Sequence, residues 1–263
     1  MMPRVLRRLC LASVVVANNK AKRLAIRLTK WTGKSAEYVH PKHLLGEADA
    51  HYWYLAHLPA GAILLDVGCG NGLHTLKAAR RCARVMGVDG SRESLGVAVR
   101  ESRARAAAHA LFVQGDVEEG LPVRAGRFDV VLCLDLLEHV HKRDLVLGEI
   151  RRALAPGGVL LLGVPNRATS WKRRLERAGL FAYSDPDHKI EYTLDELREE
   201  LGRNGFEIRH LHPTVYDTPL VGLVDVVGGL SLGLYRRLTR LRVRLAERYP
   251  EENAGFAAVC VVR

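Results

Sequence analysis

Ten residues constrain this chain more than any others: Ile63-Leu64-Leu65-Asp66-Val67-Gly68-Cys69-Gly70-Asn71-Gly72. A short apolar run reads as a buried strand, and a helical pattern over Leu73–Ala83 follows at once, so the three glycines must reverse the chain within a few residues. Gly68 and Gly70 allow a sharp turn whose backbone can approach a ligand where any Cβ would collide. Residue 73 is leucine, so the spacing is G-x-G-x-G and not the G-x-G-x-x-G of a dinucleotide fold. Asp66, two residues before the first glycine, stands beside a loop with no diphosphate to cradle. It is therefore placed to engage the cationic or amino end of a ligand.

The rest of the chain repeats this strand-to-helix rhythm. Strands are predicted at Ala62–Asp66, Val85–Asp89, Leu111–Gln114, Asp129–Leu134 and Gly158–Val164. Helices are predicted between them at Leu73–Ala83, Ser91–Ala106 and Leu145–Leu154, the last ended by Ala155-Pro156-Gly157-Gly158. Further helices are expected at Trp171–Gly179 and Leu194–Asn204, the second capped by Thr193 with Glu196 three residues on. Phe206–His210 and Phe256–Val262 read as a final antiparallel pair. The fold class is α/β: a doubly wound, mostly parallel seven-stranded sheet with an antiparallel edge strand. In such sheets ligands bind at the carboxyl ends of the strands. Asp89 ends the second strand about twenty residues beyond the glycine loop, where a carboxylate can accept both hydroxyls of a ribose. Asp116 follows the third strand.

These residues carry a resemblance. D-V-G-C-G-N-G resembles the first motif of class I S-adenosylmethionine-dependent methyltransferases, and Asp89 and Asp116 fall in order behind it. The likeness continues through Phe128-Asp129-Val130-Val131-Leu132-Cys133 and Leu154-Ala155-Pro156-Gly157-Gly158. It spans about 62–166 and, less specifically, 188–212, where His188-Lys189-Ile190-Glu191-Tyr192-Thr193 is similar to the small-molecule branch. It implies a Rossmann-like fold and S-adenosyl-L-methionine as cofactor. The implied cofactor contacts are Asp66, Gly68, Cys69, Gly70, Asp89, Gly90, Asp116, Val117 and Leu134, with Asp116 facing the adenine amino group.

The reacting methyl is expected above the end of the fourth strand, beside Leu134-Asp135-Leu136-Leu137-Glu138-His139-Val140. Methyl transfer is an in-line displacement from a sulfonium, so the protein aligns donor and acceptor and removes a proton where the acceptor carries one. An imidazole suits that task, and His139 is the nearest, with His141 as a weaker candidate. The stretch is similar to the E-x-x-E-H segment of the quinone-biosynthesis O-methyltransferases, onto which Asp135, Glu138 and His139 map. In that subfamily these positions are associated with a divalent metal, which the residues here leave open beside a purely structural role. His188 is a candidate base from the opposite side. Tyr38–His43, His51–Tyr54 and Asp185–Tyr192 are candidates for the roof of an acceptor pocket.

Charge sorts the remaining function classes. The formal net charge is +11, yet residues 1–34 hold nine basic residues and no acid, and Tyr235–Tyr249 holds six arginines against Glu247, leaving the remainder slightly acidic. Leu230, Leu234, Leu238, Leu241 and Leu245 share one helical face, with Arg236, Arg237, Arg240, Arg244 and Arg248 around it. Leu24, Leu28 and Trp31 repeat the theme near the start. Arginines alternating with leucines favour the headgroups of an anionic membrane surface over nucleic-acid bases. The N-P-P-Y motif of base methylation is absent, as is a proline before Cys133, so nucleic acid is disfavoured as a partner. Five scattered cysteines without a C-x-x-C pair suggest a reduced, cytoplasmic protein. Leu9–Ala17 is too short to span a bilayer, although with Arg4, Arg7 and Arg8 before it the start faintly resembles a signal peptide. The expected division is a basic helical extension and substrate cap over 1–60, and a cofactor-binding domain over 61–263 with a helical insertion at 214–253. A methyltransferase acting on an oxygen of an amphiphilic or membrane-derived small molecule leads the reading. A nucleic-acid methyltransferase or binder, and a cofactor-binding protein without catalysis, stand as alternatives.

Overall fold

A computed structural model describes residues 4–35, 39–47 and 49–263, so Tyr38, one of the roof candidates, lies outside the described residues. The chain divides into two compact units. A sheet unit comprises Tyr54–Pro165, Asp187–His212 and Phe256–Arg263, and a helical unit comprises the chain through Trp53, Asn166–Pro186 and Pro213–Gly255. This grouping differs from the expected division at residue 60, because the insertion joins the N-terminal residues and not the sheet.

The sheet unit holds seven strands: β1 (Ile63–Val67), β2 (Arg84–Asp89), β3 (Ala110–Gln114), β4 (Phe128–Leu134), β5 (Leu154–Pro165), β6 (Phe206–His212) and β7 (Gly255–Val262). Their order is β3-β2-β1-β4-β5-β7-β6. β1 runs parallel to β2 and β4, β2 to β3, and β4 to β5, whereas β6 and β7 pair antiparallel and close one edge. The central strands are apolar on both faces, with Leu64, Leu65, Val130, Val131, Leu132, Leu160, Leu161 and Leu162 fully buried. In this unit, helix α2 (Leu73–Ala78) follows β1, α3 (Arg92–Ala104) follows β2, α4 (Arg143–Ala153) precedes β5, and α6 (Leu194–Arg203) precedes β6.

Two boundaries differ from the sequence expectation, each for a local reason. α2 stops at Ala78, five residues early, because the following turn brings the Ala83 amide to the Ala62 carbonyl at 2.9 Å. β5 begins at Leu154, the last residue of the predicted helix, and runs through the predicted stop signal. Leu154 pairs with Phe128, the register shifts before Val130, and Gly157 adopts a φ of +77°, so Ala155–Gly158 forms a bulge and not a break. A Cβ on Gly158 would lie 2.9 Å from the Phe128 carbonyl, which is why the bulge takes glycine there.

In the helical unit, α1 (Arg4–Trp31), α5 (Ser170–Arg177), α7 (Val221–Leu230) and α8 (Leu232–Arg248) lie outside the sheet. α1 and α7 run parallel at close range: a Cβ on Gly222 would meet Asn18, and one on Gly229 would meet Ala25 and Leu28. The Asn18 side chain accepts the Gly222 amide at 2.6 Å, satisfying one orphan donor in the first turn of α7. Asp225, buried on α7, accepts the Tyr235 hydroxyl at 3.0 Å and lies 3.2 Å from His40 Nε2. The helix breaks at Ser231, so Leu230 ends α7, and the residues α8 buries are Tyr235, Thr239 and Ala246. No helix among the described residues is long and apolar enough to cross a membrane.

Candidate cofactor and acceptor site

The glycine loop is held down by its own neighbours. The amides of Gly68 and Cys69 both donate to the Val88 carbonyl, at 2.8 and 3.1 Å, and the Gly70 amide donates to Asp89 Oδ2 at 2.8 Å. Gly68, Gly70 and Gly72 all have φ between +52° and +77°, a region L side chains rarely adopt. A Cβ on Gly68 would press on Leu136, and one on Gly72 on Ala98 and Phe112, so these two glycines serve close packing. Gly70 is different. A Cβ there would meet nothing within 4 Å, which leaves an open backbone cradle beside a carboxylate.

Asp89 is half-buried and also accepts the Ser91 amide at 2.8 Å through Oδ1. Each oxygen keeps a second lone pair for a ligand hydroxyl. Asp66, on β1 just before the loop, is 3% exposed and accepts the Thr75 hydroxyl at 2.6 Å. Burial pushes its carboxyl up to about 6 against the pull of the Thr75 hydrogen bond, and the Asp89 charge adds to the rise. Its contact within the chain is with the helix that follows the loop.

The other implied cofactor residues gather at the same strand ends. Asp89 pairs in register with Gln114, and the Gly115 amide donates to the Asp89 carbonyl at 3.1 Å, which sets Asp116 next to Gly90 and Asp89. Asp116 is exposed and accepts the Glu118 amide at 2.9 Å, while Val117 is buried. Val67 pairs with Cys133, so Leu134 ends β4 one residue past the register of the loop. Cys69 and Cys133 are buried and burial pushes both thiols up, which leaves neither available as a thiolate nucleophile.

Beyond β4 the chain turns sharply. Asp135 takes a φ of +52°, its amide donates to the Gly163 carbonyl at 3.0 Å, and a single 3-10 turn follows over Leu137–His139. The turn buries Glu138 and leaves His139 half-exposed. The Glu138 carbonyl accepts the Lys189 amide at 2.7 Å, which ties the motif to the segment carrying His188. The rings of His139 and His188 meet edge to face with centroids 4.7 Å apart. His188 Nδ1 lies 2.8 Å from Oε1 of Glu191, which is fully buried. A carboxylate can only accept, so it fixes the proton on Nδ1 and leaves the Nε2 lone pair as the basic position.

Glu138, His139 and His188 therefore converge, with ligand atoms within 4.8 Å of one another. Asp135 is not in this group and is exposed, so the resemblance-derived trio is only two-thirds assembled and His188 takes the third place. One carboxylate and two imidazoles form a donor set that fits a divalent ion of the first transition row. His141 is exposed, and its amide bonds to Glu118 instead. Sequence reasoning missed Glu191 and Thr75 as partners. The H-x-x-E spacing of His188 and Glu191 was the available signal for the first, and nothing in the spacing marks the second.

Comparison with known proteins agrees with the sheet unit. Residues 65–162 match the family model of a methyltransferase domain. Over 140 residues the chain is 31% identical to a ubiquinone biosynthesis O-methyltransferase of Acinetobacter baylyi, covering 52% of this chain and 58% of that protein. Over 176 residues it is 31% identical to a probable S-adenosylmethionine-dependent methyltransferase of Mycolicibacterium smegmatis, covering 62% of each. The chain thus spans about three-fifths of the length of these curated relatives. The crystal structure of an S-adenosylmethionine-dependent methyltransferase from Mesorhizobium loti shares the fold, with a TM-score of 0.53 at 20% identity over 82% of this chain and 99% of that one. The glycine loop, the acids that follow it at successive strand ends, and the match over residues 65–162 identify a methyltransferase domain in the sheet unit, similar to those of S-adenosylmethionine-dependent methyltransferases.

Proposed function

We propose that the protein transfers a methyl group from S-adenosyl-L-methionine to a hydroxyl oxygen of a small, amphiphilic acceptor. The observation that carries this reading is the His139–His188 pair at the end of β4, backed by the buried Glu191 and by Glu138. When bound, S-adenosylmethionine supplies an electrophilic methyl on a sulfonium: its S–C bond breaks as a C–O bond forms, and the acceptor hydroxyl must lose its proton. The chain's own residues account for the rest. Gly70 leaves its backbone open to the cofactor, Asp89 receives the ribose hydroxyls, and Gly90, Asp116 and Val117 border the adenine. Nε2 of His188, with its proton inventory set by Glu191, or the imidazole of His139 takes the hydroxyl proton. Where a divalent ion takes part, Glu138, His139 and His188 would hold it, and it would lower the hydroxyl pKa in place of a free imidazole.

The names of the curated relatives support an oxygen acceptor, and the exposed apolar and basic helices support an amphiphilic one. The test is methyl transfer from labelled S-adenosylmethionine to extracted small molecules and lipids, read by mass spectrometry as one added methylene. The wild type is expected to label a hydroxyl-bearing product, and His139→Ala to cut turnover about 100-fold or more with cofactor affinity held within a few-fold. Label found in nucleic acid, or turnover unchanged in both His139→Ala and His188→Ala, overturns the reading.

A further inference from the structure

The helical unit leaves apolar side chains in solvent where a stable fold would cover them. At about 100° per residue, Leu11, Val15, Asn18, Lys22, Ala25 and Thr29 form the face of α1 that is buried or half-buried. On the opposite side, within an arc of roughly 100° on the same helical geometry, lie Val5, Leu6, Leu9, Val16, Leu24 and Trp31, all exposed. Leu9 is 59% and Trp31 66% exposed. Lys20, Arg23 and Arg27 share that arc.

The second helix repeats the arrangement by different means. α8 turns Tyr235, Thr239 and Ala246 inward, so its leucine stripe is not its packing face. Leu234 and Leu241 are 48% and 53% exposed, with Arg237, Arg244 and Arg248 beside them on the outward side. Two of the six arginines turn in: Arg242 donates to the Tyr216 carbonyl at 3.0 and 2.8 Å, and Arg236 lies 3.3 Å from the buried Asp49 carboxylate. Two arginines sorted inward and the other four, Arg237, Arg240, Arg244 and Arg248, left exposed around Leu234 and Leu241 give the pattern of a helix that meets a partner with an apolar interior and an anionic rim.

We infer that the outward faces of α1 and α8 form a docking surface for an anionic lipid bilayer, with the leucines and valines at the acyl boundary and the guanidinium and ammonium groups among the phosphates. A second copy of the chain does not suit these faces, since it would bring arginine against arginine. Nucleic acid does not suit them either, because leucines and valines offer bases no stacking platform. Trp31 belongs to the residue types enriched at the headgroup level. The surface lies outside residues 65–162 and its test reads lipid binding, so it stands or falls separately from the proposed methyl transfer.

The experiment is co-sedimentation of the full chain with vesicles of phosphatidylcholine alone and of phosphatidylcholine mixed with phosphatidylglycerol. Pelleting is expected with the mixed vesicles only, weakening as salt rises through the physiological range. Each arginine near such a surface is worth about fivefold in binding, so Arg237→Gln with Arg244→Gln should weaken it more than tenfold. Leu234→Gln with Leu241→Gln, at positions already in solvent, should also weaken it more than tenfold, with helix content checked by circular dichroism. Equal pelleting with both vesicle types, pelleting with neither, or a leucine variant that binds like the wild type overturns the inference. Displacement from mixed vesicles by a short oligonucleotide at equal charge overturns it in favour of a nucleic-acid partner.

Discussion

The two units of this molecule solve their polar and apolar problems in opposite ways. In the sheet unit buried acids hold polar side chains of the same unit: Asp66 the Thr75 hydroxyl, Glu191 the His188 ring and Glu200 the Arg143 guanidinium. The leucines and valines of its central strands β1, β4 and β5 are covered on both faces of the sheet. In the helical unit the core is narrow, two helices meeting through glycine and alanine, and large apolar side chains remain outside it. The contrast separates a unit whose central strands are covered and whose strand ends carry the candidate site from one that leaves leucines and valines of α1 and α8 in solvent.

The sharpest test of the site half of that contrast is Asp89→Ala. The substitution removes the acceptor of the Gly70 and Ser91 amides together with the implied ribose contact. A charged acceptor lost from such a network is worth about 2–3 kcal/mol, so affinity for S-adenosylmethionine or its demethylated product should fall on the order of 100-fold by calorimetry. Asp89→Asn keeps one oxygen acceptor and should fall between. Affinity unchanged in both variants would place the cofactor elsewhere.

Much of the sheet unit is legible before any coordinates. Strands buried on both faces leave continuous apolar runs, and a loop that needs positive φ at Gly68, Gly70 and Gly72 leaves glycines, so both facts are written in local residue types. What the sequence hides is partnership across distance. Asp66 reads as a ligand contact because the spacing sets it beside the loop, and nothing in that spacing announces the Thr75 hydroxyl that it accepts. His188 joins Glu138 and His139 through a backbone bond between residues fifty positions apart, which no periodicity encodes. The leucine stripe of α8 is visible as a stripe, but whether it faces in or out depends on Tyr235, Thr239 and Ala246 packing better than leucine in a narrow space.

That narrow space gives the second prediction. A Cβ on Gly229 would stand 2.6 Å from Leu28 Cβ and 2.9 Å from the Ala25 carbonyl, so Gly229→Val forces α1 and α7 apart. Overpacking of this kind costs about 1–3 kcal/mol. Hydrogen exchange is expected to quicken across α1 and α7 while the amides of β1, β4 and β5 keep their protection. Loss of protection in both units to the same degree would mean that they unfold as one, and the comparison drawn above would fail at the level of stability.

The smallest effect tests the same boundary from the sheet side, through pH. His57 and His212 face each other with ring centroids 4.6 Å apart, and His210 lies 4.4 Å from His212 on β6. Burial, followed by the charge of neighbouring imidazoles, lowers His57 and pulls His212 down to about 4. Between roughly pH 6.5 and 4 the unfolded chain therefore binds more protons than the folded one, and stability rises with pH through that window. The contribution is present in full above the unfolded histidine value and is lost as pH falls towards the folded one. His212→Gln removes the titration without adding a charge, so the melting point of the wild type should fall by on the order of a few degrees more than the variant's between pH 7 and pH 5. Parallel pH profiles for wild type and variant would show that the histidine cluster is solvated in solution and sets no acid limit on the fold.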